Sequence, residues 1–372
     1  MRRRTFLGSL AGLGTAAMAG CLSGDSEGDD GNGNGTTTGT GTTANPLSGT
    51  LTVATYQPFI DAPSTSPGDW VKSEFESEYP DATLEWFTPE SELNYFIQRR
   101  DQKVTIDTDV YVGLNVDDLV RIDRKLGDTS LLRPLDRSAL SNVQYVREDL
   151  EFDPQDRAIP FDTGYISLVY DENEVENPGT FDALTRPEYE DTLLAQNAQT
   201  SDPGQAFMLW TIAAMGEDGY LDYWRALKDN GVRIFGSWND AYGAYSEGER
   251  PIVVSYSTDQ VFANRYDQDM SRHRVGFLND QGYANPEGMA VFESTDKPEL
   301  ASAFVDWMLS QKVQSRIPVL NVQFPATTTA ELDEEFDQYA HEPPEPVTHT
   351  YDELAGNLGD WTEQWAREIA GN

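Results

Sequence analysis

The sequence predicts an α/β protein built as two lobes with mixed, mostly parallel sheets, and three observations carry that expectation. Short apolar runs alternate with helical segments from Leu51 onward, and the alternation starts afresh after Phe161. The 372 residues are also enough for two medium domains.

Leu51-Thr52-Val53-Ala54-Thr55-Tyr56 reads as a buried strand. A helix follows over Asp69 to Tyr79 and stops at Pro80. Ala82 to Phe87 is a second strand, Ser91 to Asp101 a helix and Thr108 to Leu114 a third strand. Asp117 to Leu126 is a helix closed by Gly127. Beyond Phe161, Tyr165 to Tyr170 is strand-like, and Pro203 to Met215 is a helix opening on proline. Gly231 to Phe235 is a strand, Asp240 to Glu247 a helix ended by Gly248, and Pro251 to Tyr256 a strand. Leu300, Phe304, Trp307 and Met308 recur at helical spacing on Pro298 to Arg316. No internal sequence repeat and no second membrane segment are visible.

The N-terminus reads as an export signal over residues 1–20. Arg2-Arg3-Arg4 precedes an apolar run from Phe6 to Ala19, too short to span a bilayer but long enough for a signal-peptide core. Met18-Ala19-Gly20 places small residues directly before Cys21, the pattern a lipoprotein signal peptidase cuts, so Cys21 is the expected lipidation site. Arg3-Arg4-Thr5-Phe6-Leu7 fits the twin-arginine pattern, which implies folding before export. With one cysteine, no disulfide can form within the chain. Residues 21–48 form a lipidated, disordered linker, since Ser23 to Pro46 is Gly, Thr, Asn and Asp with almost nothing apolar. Such a coil reaches ~25–30 Å, enough to hold a globular body clear of the lipid. Asn34-Gly35-Thr36 within it is an N-glycosylation sequon.

Charge sets the next boundary. Asp and Glu number 64 against 26 Lys and Arg, for a net charge of −38. Nucleic acid is excluded as a partner, because its phosphates meet a field of the same sign. Adhesion to anionic lipid through charge is excluded likewise. The carboxylates are spread along the whole chain, as on the solvated surface of a halophilic protein. At ~1 M salt the Debye length is ~3 Å, which screens their mutual repulsion.

In parallel sheets, ligands meet the loops beyond the carboxyl ends of the strands. Here those loops carry Thr200-Ser201-Asp202, Gly236-Ser237-Trp238-Asn239 and Ser255-Tyr256-Ser257-Thr258-Asp259. Aromatic faces, hydroxyls and carboxylates in one place suit a small, flat cation. Asp202 before Pro203 is equally a helix cap, as is Ser237 or Asn239 before the next helix, while Tyr242 and Tyr245 share a helix face suited to a core. Catalytic machinery is thin. His273, His341 and His349 lack metal-ligand spacing, and neither a phosphate loop nor a nucleophile elbow is present. The expectation is a binding protein, not an enzyme, with no metal and no cofactor.

These segments resemble the thiamine-binding proteins of ABC importers. The likeness runs through Ile159-Pro160-Phe161-Asp162-Thr163-Gly164-Tyr165 into Leu168-Val169-Tyr170-Asp171, then Thr200 to Gly204, Gly236 to Gly243, and Ser255 to Thr258. Trp361-Thr362-Glu363-Gln364-Trp365 looks like the family's closing helix, so the likeness covers most of Leu51 to Trp365. It implies a two-lobed fold of the type II periplasmic-binding-protein kind with the ligand in an interlobe cleft. Lobe 1 would comprise residues 49–162 and 287–372, and lobe 2 residues 163–286, with crossings near Phe161 to Tyr165 and Tyr283 to Met289. The implied ligand contacts are Tyr56, Ser201, Asp202, Trp238, Tyr256, Ser257, Thr258 and Asp259. The ligand would be thiamine or its phosphates, and the partners a permease and its ATPase, with the protein a monomer on the outer face of the membrane. A ferric or polyamine carrier is the alternative within the class, and a secreted carboxylate-dependent hydrolase the alternative outside it. Two positions depart from the family: Glu90-Ser91-Glu92 stands where Asp-Gly is expected, and Val322 where a tryptophan is expected.

Overall fold

The computed structural model describes residues 45–62 and 66–370. The expectations for the signal peptide, Cys21, Asn34 and nearly all of the linker fall outside those residues. Strand β1 (Gly49–Ala54) pairs in parallel with β2 (Ala82–Phe87), the connection carrying α1 (Gln57–Ile60) and α2 (Gly68–Glu78). On α2, Val71 and Phe75 stand one turn apart and are fully buried, which fixes the face the helix turns to the sheet. After α3 (Leu93–Asp101), β3 (Val110–Leu114) pairs in parallel with the other edge of β1. Helix α4 (Val116–Leu126) follows directly, capped by the reciprocal Asn115–Asp118 bonds and closed by Gly127 at φ 55°.

Strand β4 (Ala158–Tyr170) runs for 13 residues, all buried. The sequence reading placed a strand only from Tyr165, because Pro160, Asp162 and Gly164 look like breakers. They are accommodated by a register shift between Pro160 and Asp162, the kind of irregularity at which proline is tolerated in a sheet. The chain then forms β5 (Leu193–Gln196), α5 (Asp202–Met215), α6 (Tyr220–Asp229), β6 (Arg233–Phe235), α7 (Trp238–Ser246), β7 (Ile252–Tyr256), α8 (Asp259–Arg265) and β8 (Arg274–Gly276). It returns through β9 (Gln281–Val291), antiparallel to β4 over most of its length.

The expected long helix over Pro298 to Arg316 is divided in two, α9 (Pro298–Met308) and α10 (Gln311–Gln314), and α11 (Ile317–Asn321) follows beyond it. Ser310 is extended at ψ 150°, which ends the helical run. The break lets the buried Gln314 amide donate to Phe161 O at 2.9 Å and to Met308 O at 3.0 Å, while its oxygen accepts from Ala326 N. The remaining elements are β10 (Phe324–Pro325), α12 (Glu334–Tyr339), β11 (Glu345–Val347) and α13 (Tyr351–Trp365).

The sheet runs β2-β1-β3-β9-β4-β7-β5-β6, with β8 and β10 on β4 and β11 on β9. Pairing is parallel in both flanks and antiparallel through the centre. One core packs Leu51, Val53, Phe75, Leu84 and Val112 against Phe304 and Met308 of α9. A second packs Ile166, Leu168 and Val254 against Phe207, Trp210 and Trp224, and α13 closes it with Trp361 and Trp365. Helix α13 also reaches α4, where the Tyr351 hydroxyl donates to Asp123.

Candidate functional site

The parallel flanks aim their carboxyl ends at one place. Tyr56 follows β1, Glu92 lies between β2 and α3, and Asp117 opens α4 beyond β3. From the other flank come Ser201 and Asp202 beyond β5, Trp238 beyond β6 and Tyr256 at the end of β7. Between the flanks lie β4 and β9, and there Asp162 is register partner to Glu287. The groups act on one another: Asp202 feels Asp117, Glu92 and Arg121, while Tyr256 feels Glu287, Asp202 and Asp162.

Tyr56 is held at the floor of this crevice. Its hydroxyl donates to Glu287 Oε2 at 2.9 Å and accepts from Asn321 Nδ2 at 3.0 Å. Asn321 Nδ2 also donates to Asp162 Oδ2 at 2.8 Å. Gly113, at φ +97°, must lack a side chain here, since a Cβ would stand 2.4 Å from the Tyr56 ring. Across the sheet, Gly164 gives the same clearance to Tyr256, whose ring lies 2.8 Å from where a Cβ would be.

Burial, followed by Glu287, raises the Asp162 carboxyl well above the ordinary range. Burial pushes Glu287 up to about 7, against the lowering effect of the Tyr56 hydrogen bond. Asp202 is exposed at the head of α5, and desolvation by the protein around it, then Asp117 and Glu92, pushes its carboxyl up to about 7 as well. Burial also raises Glu92, which Arg121 partly offsets. The crevice therefore holds more carboxyl groups than it has positive charge to balance, the environment a cation would enter favourably.

Trp238 supplies a wall. It is the first residue of α7, after the Ser237 cap, whose hydroxyl accepts from Asp240 N at 3.2 Å. The Trp238 ring stacks on Tyr242 with centroids 4.8 Å apart and planes at 24°. Tyr245 is buried in a core as expected, and Tyr242, half-buried, packs on the same cluster and backs the indole. Ser201, not Asp202, is the N-cap of α5, and its side chain makes no cap bond. Ser257 and Thr258 are buried, and Ser257 Oγ has no hydrogen-bond partner among the described residues.

Asp259 differs from the ligand-facing role the resemblance implied. It is buried, with Oδ2 accepting from His273 Nδ1 at 2.6 Å and Oδ1 from the Tyr242 hydroxyl. Both of its carboxyl oxygens are thus engaged within the protein. The sequence reading missed Asp162, Glu287, Glu92 and Asn321 as site residues. One signal was available, a lone carboxylate inside the mostly apolar Ala158–Tyr170 run. Two surface hollows are lined by Arg147, Phe324 and Phe336 and by Arg133, Glu299 and Asp306. Among the described residues, no three His, Cys, Asp or Glu side chains converge closely enough to hold a metal ion.

Residues 116–343 match the model of a family described as bacterial extracellular solute-binding protein. The chain is 26% identical over 325 residues to the thiamine-binding periplasmic protein of Escherichia coli strain K12, covering 86% of this chain and 93% of that one. Among solved structures, a periplasmic thiamin binding protein superposes with a TM-score of 0.73 at 25% identity, covering 87% of this chain and 96% of that one. A ferric binding protein from Campylobacter jejuni superposes with a TM-score of 0.69 at 14% identity, over 86% and 99% of the two chains, and so shares the fold. An exported protein with carboxyl-rich loops gathered at the strand ends of two parallel flanks is thus placed by sequence and by shape alike: the chain belongs to the bacterial extracellular solute-binding protein family.

Proposed function

We propose that this protein captures thiamine outside the cytoplasm and hands it to an ABC permease, whose separate ATPase drives import. The observation that carries the reading is the crevice itself, where Tyr56, Trp238 and Tyr256 stand among Asp162, Asp202, Glu287 and Glu92. Thiamine offers a flat aminopyrimidine and a permanently charged thiazolium ring. Aromatic faces take the rings, and carboxylates take the amino protons and the charge. Ser201, Ser257 and Thr258 add hydroxyls, and Asp259 acts through Tyr242. The relatives that carry thiamine in their names support the same ligand.

The chain works as two lobes, residues 49–162 with 287–372 and residues 163–286, closing on the ligand by a hinge at β4 and β9, while α13 of the first lobe packs into the core of the second. Cys21 carries the lipid anchor, the twin-arginine signal delivers a folded monomer, and the scattered carboxylates suit molar salt. Equilibrium dialysis in molar KCl against thiamine, its mono- and diphosphate, spermidine and Fe³⁺ tests the ligand. Thiamine should be retained most tightly. Retention of Fe³⁺ or spermidine with free passage of thiamine would overturn the reading.

A further inference from the structure

We propose that Asp162 and Glu287, facing one another across β4 and β9, are the counter-charge that selects a cationic ligand, and that the pair gives up a proton as the cation enters. The inference rests on the cation-binding reading above and adds the residues that neutralise the charge.

Directly opposed side chains on antiparallel strands lie on one face, close enough that like charges there are destabilising. Asp162 is fully buried, and its Oδ1 has no hydrogen-bond partner among the described residues. The polar neighbours cannot supply charge: Asn321 is neutral, and Tyr56, whose own proton is held tightly by burial and the two carboxyls, donates to Glu287. The groups turned toward the pair from the surrounding elements are Tyr111 on β3, Tyr256 on β7, Asp202 on α5 and Glu92 before α3. None brings a positive charge. Arg121 acts on Glu92, Asp202 and Tyr111, and it is bound to Asp118. An empty crevice therefore keeps this pair at one negative charge or fewer by holding a proton, and burial favours that state.

A fixed cation seated beside the pair removes the reason for that proton. The carboxyl O–H bond breaks, the proton passes to solvent, and the cation takes its place, so the buried charge is unchanged. A neutral ligand of the same shape gains nothing from the exchange. This distinguishes Asp162 and Glu287 from the aromatic wall, which any flat ring could use.

Calorimetry of thiamine binding at pH 6.5 in molar KCl, in buffers of differing ionisation enthalpy, counts the protons released. Wild type should release a substantial fraction of one proton per thiamine. Glu287→Gln should release markedly less and bind at least about tenfold more weakly. Asp162→Asn serves in its place should that variant not fold. Difference infrared spectra of wild type should lose a protonated-carboxyl band on binding. Tight thiamine binding with buffer-independent heat and no carboxyl band change would overturn the proposal. Should spermidine bind and thiamine not, with proton release, the thiamine reading falls while this one stands. Should no cation bind, both fall.

Discussion

The indole N–H of Trp238 donates to Ser255 Oγ at 3.1 Å, so the aromatic wall is anchored to a buried position of β7. A second restraint comes from Tyr242 behind it, itself held by Asp259 and His273. The wall is pre-set before a ligand arrives, which lowers the ordering cost of binding.

Stacking of a desolvated cation on such a face is worth about 2 kcal/mol, a factor of ~30 in affinity. Trp238→Ala and Tyr256→Ala should each weaken thiamine binding at least about tenfold with the circular dichroism spectrum unchanged. Wild-type affinity in both, measured by calorimetry, would remove this pocket from consideration.

The raised carboxyls make a prediction about pH. Glu287 and Asp202 titrate at about 7 in the folded protein, above the usual carboxylate range. Between those limits the folded state binds more protons than the unfolded chain, so these groups make stability fall as pH rises through about 7. His341 works the other way, because burial lowers its pKa and stability rises as its proton is lost. The readout is therefore a difference. From pH 5 to pH 8 in molar salt without ligand, Glu287→Gln and Asp202→Asn should gain melting temperature relative to wild type. A constant offset between variant and wild type across that range would contradict the assignment.

Asp202 also bears on phosphate. A helix N-terminus attracts anions, yet the first residue of α5 is itself a carboxylate, with Asp117 and Glu92 acting on it. Free thiamine should bind more tightly than its mono- or diphosphate, and Asp202→Thr should narrow the gap. Equal affinity of wild type for thiamine and its diphosphate would sink the idea.

At a net charge of −38, lowering ionic strength from molar to ~0.01 M stretches the Debye length from ~3 to ~30 Å and unmasks repulsion. Folded structure should be lost on dialysis into dilute buffer. A melting curve indifferent to salt would refute the halophilic reading. Separately, Cys21→Ser should shift the protein from the detergent phase to the aqueous phase on partitioning, or leave an uncleaved precursor; unchanged membrane retention of processed protein would point to another anchor.

The flanks were legible in the sequence because their elements are punctuated. Pro80, Gly127 and Gly248 mark boundaries that the structure keeps within a residue or two. The centre was not legible. Pro160 and Gly164 signal a loop, and only the partner strand β9 makes that stretch a strand. Tyr56 came only with the family resemblance, while Ser201, Asp202, Trp238 and Tyr256 followed from strand ends and were reachable from local order. Glu287 and Asn321 were not, because their role comes from a partner remote in sequence: Tyr56 meets both across most of the chain. Glu92 was obscured by its φ of 48°, a backbone state no composition rule assigns to glutamate.

The pairing of β4 with β9 also dictates when the crevice can exist at all. Ala158 is register partner to Ala290 and Ile166 to Tyr283, so everything from Asp171 to Asp280 must be looped out before the two strands meet. Closing so long a loop is slow, and on a ribosome it cannot begin until the second strand has emerged. The helices between the strands of each flank can dock earlier, but α9 and α13 complete the two cores only after β9, and Asp162 waits without its partner until then. Binding competence is thus a late event in folding, and appearance of ligand binding reports completion of the whole chain rather than of either half.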